Sequence, residues 1–78
     1  MKTIEQEKKE ALEKYGHFNS THEVYAVLLE EVDEFWDSVK MKPHILYKKE
    51  KMIEELTQIA AIAQRAITEL ENNQIRWI

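Results

Sequence analysis

A chain of 78 residues without cysteine and with a formal charge of −4 leaves few options open. A core of this size buries a limited share of its surface, and neither disulfides nor a Cys/His cluster for structural zinc is available, so oligomerisation, at least a dimer, is the expected support. Acidic residues outnumber basic ones 15 to 11, which argues against a dedicated nucleic-acid binder, whose domains carry a basic face.

Residues 1–78 read as one domain. One glycine and one proline give little punctuation for turns, so long helices and an all-α fold are predicted. Met1 to Glu10 is charged where a secretory leader needs its apolar core, and no run is long and apolar enough to span a bilayer. The expectation is a soluble, cytoplasmic protein with no membrane partner.

Residues 3–15 form the first predicted helix, rich in Glu and Lys, with a thin apolar stripe of Ile4, Ala11, Leu12 and Tyr15. Gly16 is placed to end it in a left-handed cap. In the connector that follows, His17 and Phe18 are candidates for stacking on a base or for the core. Ser20 and Glu23 then make a capping box that starts the second helix near Thr21. That helix runs to about Met41. Pro43 breaks the pattern, so residues 42–45 are a turn between antiparallel neighbours.

The third helix starts between His44 and Lys48 and ends at about Glu71, before Asn72 and Asn73. Alanines between Ile59 and Ala66 permit close helix approach. The apolar tail of Ile75, Trp77 and Ile78 is more than one small bundle needs, and a partner subunit is its expected home.

In the second helix Val24, Val27, Leu28, Val32, Phe35 and Val39 share one face, and Glu31 falls inside that stripe. The third helix repeats the pattern. Glu55 lies within a stripe formed by Met52, Leu56, Ile59, Ala63, Ala66, Ile67 and Leu70. An ionised carboxylate left there would cost several kcal/mol unless a cation or a proton accompanies it. Glu34 and Gln58 follow one turn later at the polar edge. Oxygen ligands from two helices suit a hard divalent ion, Mg²⁺ or Mn²⁺, better than zinc. On helical faces alone a second reading stands, in which Glu31 and Glu55 are edge residues or pair with Lys51 or Arg65.

The segment Glu30-Glu31-Val32-Asp33-Glu34-Phe35, with Glu54-Glu55-Leu56-Thr57-Gln58-Ile59, resembles the paired acidic motifs of the MazG-like all-α nucleotide pyrophosphohydrolases. The resemblance spans residues 20–70. It implies an oligomeric helical bundle, dimer or tetramer, built on a long antiparallel hairpin, with Glu31, Glu34 and Glu55 as metal-binding and catalytic residues. Gln58 stands at a fourth position where the family has Asp, offering an amide oxygen but no charge. The implied reaction is Mg²⁺-dependent cleavage of a nucleoside triphosphate between its α and β phosphates. Lys51 and Arg65 are candidates for phosphate contact, and Trp36, with Tyr25 as a further aromatic, for base stacking. The alternative is a non-catalytic helical module that kept the scaffold for nucleotide binding or protein assembly. A glycine-rich phosphate loop and an activated Ser or Cys nucleophile are both absent from the sequence.

Overall fold

The computed structural model describes residues 1–77; Ile78 lies outside the described residues. Three helices make up the chain: α1 (Ile4–Tyr15), α2 (Thr21–Val39) and α3 (Lys48–Glu71). The described residues contain no strand, only an isolated bridge between Ser20 and Arg76. No helix of the described chain is long and apolar enough to cross a membrane.

Side-chain caps start α1 and α2, whereas α3 starts at Tyr47 without one. The Thr3 hydroxyl accepts the Gln6 N–H at 3.1 Å and the Gln6 side chain accepts the Thr3 N–H at 2.8 Å, a reciprocal cap on α1. Gly16 closes α1 by donating its N–H to Leu12. Its φ of 73° suits glycine as expected, but its ψ of −161° makes the exit extended rather than a left-handed helical turn. Ser20 caps α2 by accepting the Glu23 N–H at 3.1 Å. The Glu23 carboxylate does not complete the box; it takes the backbone and side-chain N–H groups of Asn19 instead.

The second helix stops at Val39, two residues before the sequence reading, because residues 40–47 form a turn that Lys48 staples. Its ammonium donates to the carbonyls of Val39 at 2.9 Å and Met41 at 2.6 Å, satisfying acceptors that the helix end leaves free. Replacing Lys48 with Met removes two charge-assisted bonds, an expected loss of about 1–2 kcal/mol. The thermal midpoint should fall by roughly 5–15 °C. A midpoint unchanged in circular dichroism melts would show that the staple contributes nothing.

The third helix is the spine. α2 packs along one side of it and α1 along another, and α1 makes no close contact with α2. Phe18, Ile62, Ala66 and Ile75 form the buried core, flanked by Val24, Val27 and Leu28, at the end where the tail returns to α2. The Thr21 N–H donates to the Arg76 carbonyl at 2.8 Å and fixes that return. Ile75 is therefore core of its own chain, contrary to the expectation that a partner would house it; Trp77 remains exposed, and Ile78 lies outside the described residues.

The predicted stripes were partly misassigned. Val32, Leu56, Ile67 and Leu70 are exposed, whereas Ala61, Ile62, Arg65 and Glu69 are buried with Glu55 and Ala66. α3 is apolar over a wider arc than one neighbour can cover, and the α2 contact falls on the part of that arc centred on Ile62. Phe18 sits in the core, with Arg65 over its ring.

Candidate metal centre

Helix periodicity brings the acidic residues together. Glu31 is four residues after Val27 and four before Phe35, so it shares their inward face, and Glu55 precedes Ile62 by two turns on the inward face of α3. Because α2 and α3 are neighbours, the two rows meet. Carboxylate oxygens of Glu31, Glu34 and Glu55 all lie within 4.8 Å of one another. Glu55 is buried to 2% exposure, Glu31 is half-buried and Glu34 is exposed, so the cluster opens to solvent on one side only.

Two of its oxygens, Glu31 Oε2 and Glu55 Oε2, are buried and accept no hydrogen bond from the described residues. The electrostatics follow. Burial, then the charge of Glu34 and the contact with it, then Glu55, push the Glu31 carboxyl up to about 7. Lys51 donates to Glu55 Oε1 at 2.9 Å, and this contact raises the lysine's own pKa. Three carboxylates against one ammonium leave two negative charges unbalanced when all are ionised. A proton on Glu31 relieves part of that imbalance, and a divalent cation would relieve all of it.

Next to the cluster, α1 and α2 flank a groove of about 380 Å³ floored by α3. Glu31 and Gln58 border it, with Tyr15, Val27 and Ile62 as apolar wall and Arg65 toward the far end. Gln58 thus sits on the groove side of the site.

Arg65 is buried. It donates to the Gly16 carbonyl at 2.8 Å, lies 4.4 Å over the Phe18 ring and approaches Glu69 at 3.7 Å, while its Nε has no partner among the described residues. Trp36 is not brought to the cluster. Five residues beyond Glu31, it is turned about 140° away, is exposed, and carries Lys40 near its ring face. Tyr25 is exposed at the same side of α2 as Trp36. His22 and His44 are exposed surface residues.

One buried acid escaped the sequence reading. Glu69 accepts the Phe18 N–H at 2.8 Å, with His17 Nδ1 at 3.4 Å and Arg65 on the same carboxylate. The signal was present: Glu69 follows Ile62 by two turns, in the row that contains Glu55. Comparison of the chain with known protein families, with curated proteins and with solved structures returned no match.

Proposed function

We propose that this protein is a divalent-cation-dependent nucleoside triphosphate pyrophosphohydrolase of MazG-like type, converting an NTP or dNTP to the monophosphate and pyrophosphate. The reading rests on one observation: two buried, unpartnered carboxylate oxygens, from Glu31 and Glu55 on different helices, in one cluster with Glu34. Leaving such atoms unsatisfied costs about 1–3 kcal/mol each, more when charged, a cost that a bound cation, or in part a proton shared among the carboxylates, would relieve. The all-oxygen donor set and the two unbalanced charges fit Mg²⁺, with Mn²⁺ next.

In this scheme Glu31, Glu34 and Glu55 hold the cation, and Gln58 lends an amide oxygen at the groove side. When bound, the ion polarises phosphoryl oxygens and makes water more acidic. Lys51, half-exposed beside the cluster, meets phosphate charge. The groove receives the nucleoside end, and Arg65 holds its far wall through Gly16 and Phe18. Water adds across the bridge between the α and β phosphates: one P–O bond forms, one breaks, and one proton is released.

A second reading, a non-catalytic module for nucleotide binding or assembly, is favoured by two features. Lys51 already neutralises Glu55, and Gln58 removes the charge that the family's Asp would add.

The test is pyrophosphate release from canonical and modified nucleoside triphosphates with Mg²⁺ or Mn²⁺, beside Glu55→Gln. The hydrolase reading expects turnover that falls by more than the ~10–100-fold typical of changes outside the ligand set. No release from any substrate, by folded protein whose melting point still rises with Mg²⁺, would establish the binding module instead.

A further inference from the structure

The groove beside the carboxylate cluster carries a charge that its occupant must answer. On α1, Glu7 shares a helix face with Ala11 and Tyr15, and on α2 Glu30 follows Val27 by three residues, so both carboxylates border the groove. Neither forms an ion pair among the described residues. The lysines of α1 are spent elsewhere: Lys2 is held by Glu10, and Lys8 by Glu5 and Gln64. Arg65 is the one cation on the groove's lining, and its guanidinium is committed to the Gly16 carbonyl, the Phe18 ring and Glu69. Gln58 and the Tyr15 hydroxyl can serve as donor or acceptor. The groove is therefore rich in acceptors and poor in free donors.

One donor is left over. The Arg65 side chain is only 9% exposed, yet its Nε N–H has no acceptor among the described residues. A buried donor in that state is costly, and an acceptor atom seated at this end of the groove would satisfy it. Between the polar groups, Val27 and Ile62 supply apolar wall, and the volume of about 380 Å³ falls in the range of small-molecule sites.

We propose that the groove selects nucleobases with an exocyclic amino group, cytosine and adenine, over their oxo counterparts uracil and hypoxanthine. This deepens the hydrolase reading and rests on it for placing the phosphates at the cluster. The amino group offers N–H donors to Glu7 or Glu30. The ring nitrogen beside it, N3 of cytosine or N1 of adenine, is an acceptor, which the Arg65 N–H lacks. Exchanging amino for oxo reverses both. A carbonyl oxygen then meets carboxylate oxygens, and the ring nitrogen becomes a donor facing a donor. Sites that lose hydrogen bonds in this way discriminate far better than sites that sense size alone.

The test compares matched pairs, CTP with UTP and ATP with inosine triphosphate, as ribo- and deoxyribonucleotides with Mg²⁺. Pyrophosphate release is followed for wild type and for the double variant Glu7→Gln, Glu30→Gln, and binding of the corresponding monophosphates is measured by calorimetry. In the wild type kcat/KM should favour the amino member of each pair by about 10-fold, the low end for hydrogen bonds to charged groups because Glu30 is exposed. The amides of the variant can donate as well as accept, so its preference should shrink to about 2- to 3-fold or less. A structural role for the two glutamates would lower both members of a pair alike and leave the ratio intact, which overturns their assignment.

Turnover without preference, or with preference for the oxo members, overturns the inference and leaves the hydrolase reading standing. No turnover of any nucleotide, with the amino monophosphates bound about 10-fold more tightly than the oxo ones, sinks the hydrolase reading and upholds the groove's selectivity. Neither turnover nor selective binding overturns both.

Discussion

Glu69→Ala should cost about 3–5 kcal/mol, the range for removing one partner from a buried ion pair. A chain of this length has roughly 4–12 kcal/mol in all, so the variant should be partly unfolded at room temperature or melt at a midpoint lowered by more than 12 °C. The reason is the number of groups that depend on one 4% exposed carboxylate. It holds the Phe18 N–H at 2.8 Å, placing the Phe18 side chain in the core, and among the described residues it is the one carboxylate paired with the buried Arg65. Truncation orphans an N–H and a guanidinium together. Glu69→Gln retains an acceptor for Phe18 and should lose only about 1–2 kcal/mol. Glu69→Leu combined with Arg65→Met removes both charges and should recover much of the loss, because apolar pairs replace buried ion pairs well. Urea unfolding of the four proteins decides the matter. A Glu69→Ala variant within 1 kcal/mol of wild type would mean that the loop at residues 16–19 is held by packing alone.

The same knot shows what a sequence discloses and what it hides. Helix ends were readable to within about two residues because Gly16, Ser20, Pro43 and Asn72 act on their near neighbours; the Thr3 cap and the Lys48 staple that ends α2 at Val39 were not read. The inward position of Glu55 was readable too, since apolar neighbours at helical spacing surround it. Which side of α3 would face α2 was not. Both the arc around Ile62 and the arc around Ala60 and Ala63 are apolar, and periodicity cannot rank two apolar arcs on one helix. The choice depends on where α1 docks and on the chain's return through Ile75, contacts between residues distant in sequence. Arg65 illustrates the same limit. From its spacing it belonged beside the acidic site, but the Gly16 carbonyl and the Phe18 ring, both on the preceding connector, claim its guanidinium. Trp36 lies away from the cluster for a simpler reason, the angle set by five residues of helix.

Raising the pH should destabilise the metal-free protein, and Mg²⁺ should reverse the effect. The Glu31 carboxyl rises from an ordinary 4.5 to about 7 in the fold, chiefly through burial and then through Glu34 and Glu55. Between those values the folded state binds more protons than the unfolded state, so stability falls as pH rises through the window and levels off above it. The full shift corresponds to roughly 3 kcal/mol at 1.36 kcal/mol per unit, and solvent access to half-buried Glu31 brings the expected loss to about 1–2 kcal/mol. Glu31→Gln carries the neutral form at every pH. The difference in stability between wild type and this variant, at fixed protein concentration, should therefore change by that amount between pH 4.5 and pH 8, which isolates Glu31 from other titrating groups. A cation competes with the proton for the same oxygens, so the stabilisation by Mg²⁺ should be small at pH 5 and large at pH 8. At a hundredfold excess over its Kd it would reach about 2.7 kcal/mol. Glu31→Gln should lose most of that response, whereas NaCl at matched ionic strength should not reproduce it. A wild-type melt that ignores both pH and Mg²⁺ would sink the metal site and leave the cluster as a structural carboxylate contact in which Lys51 offsets the charge of Glu55.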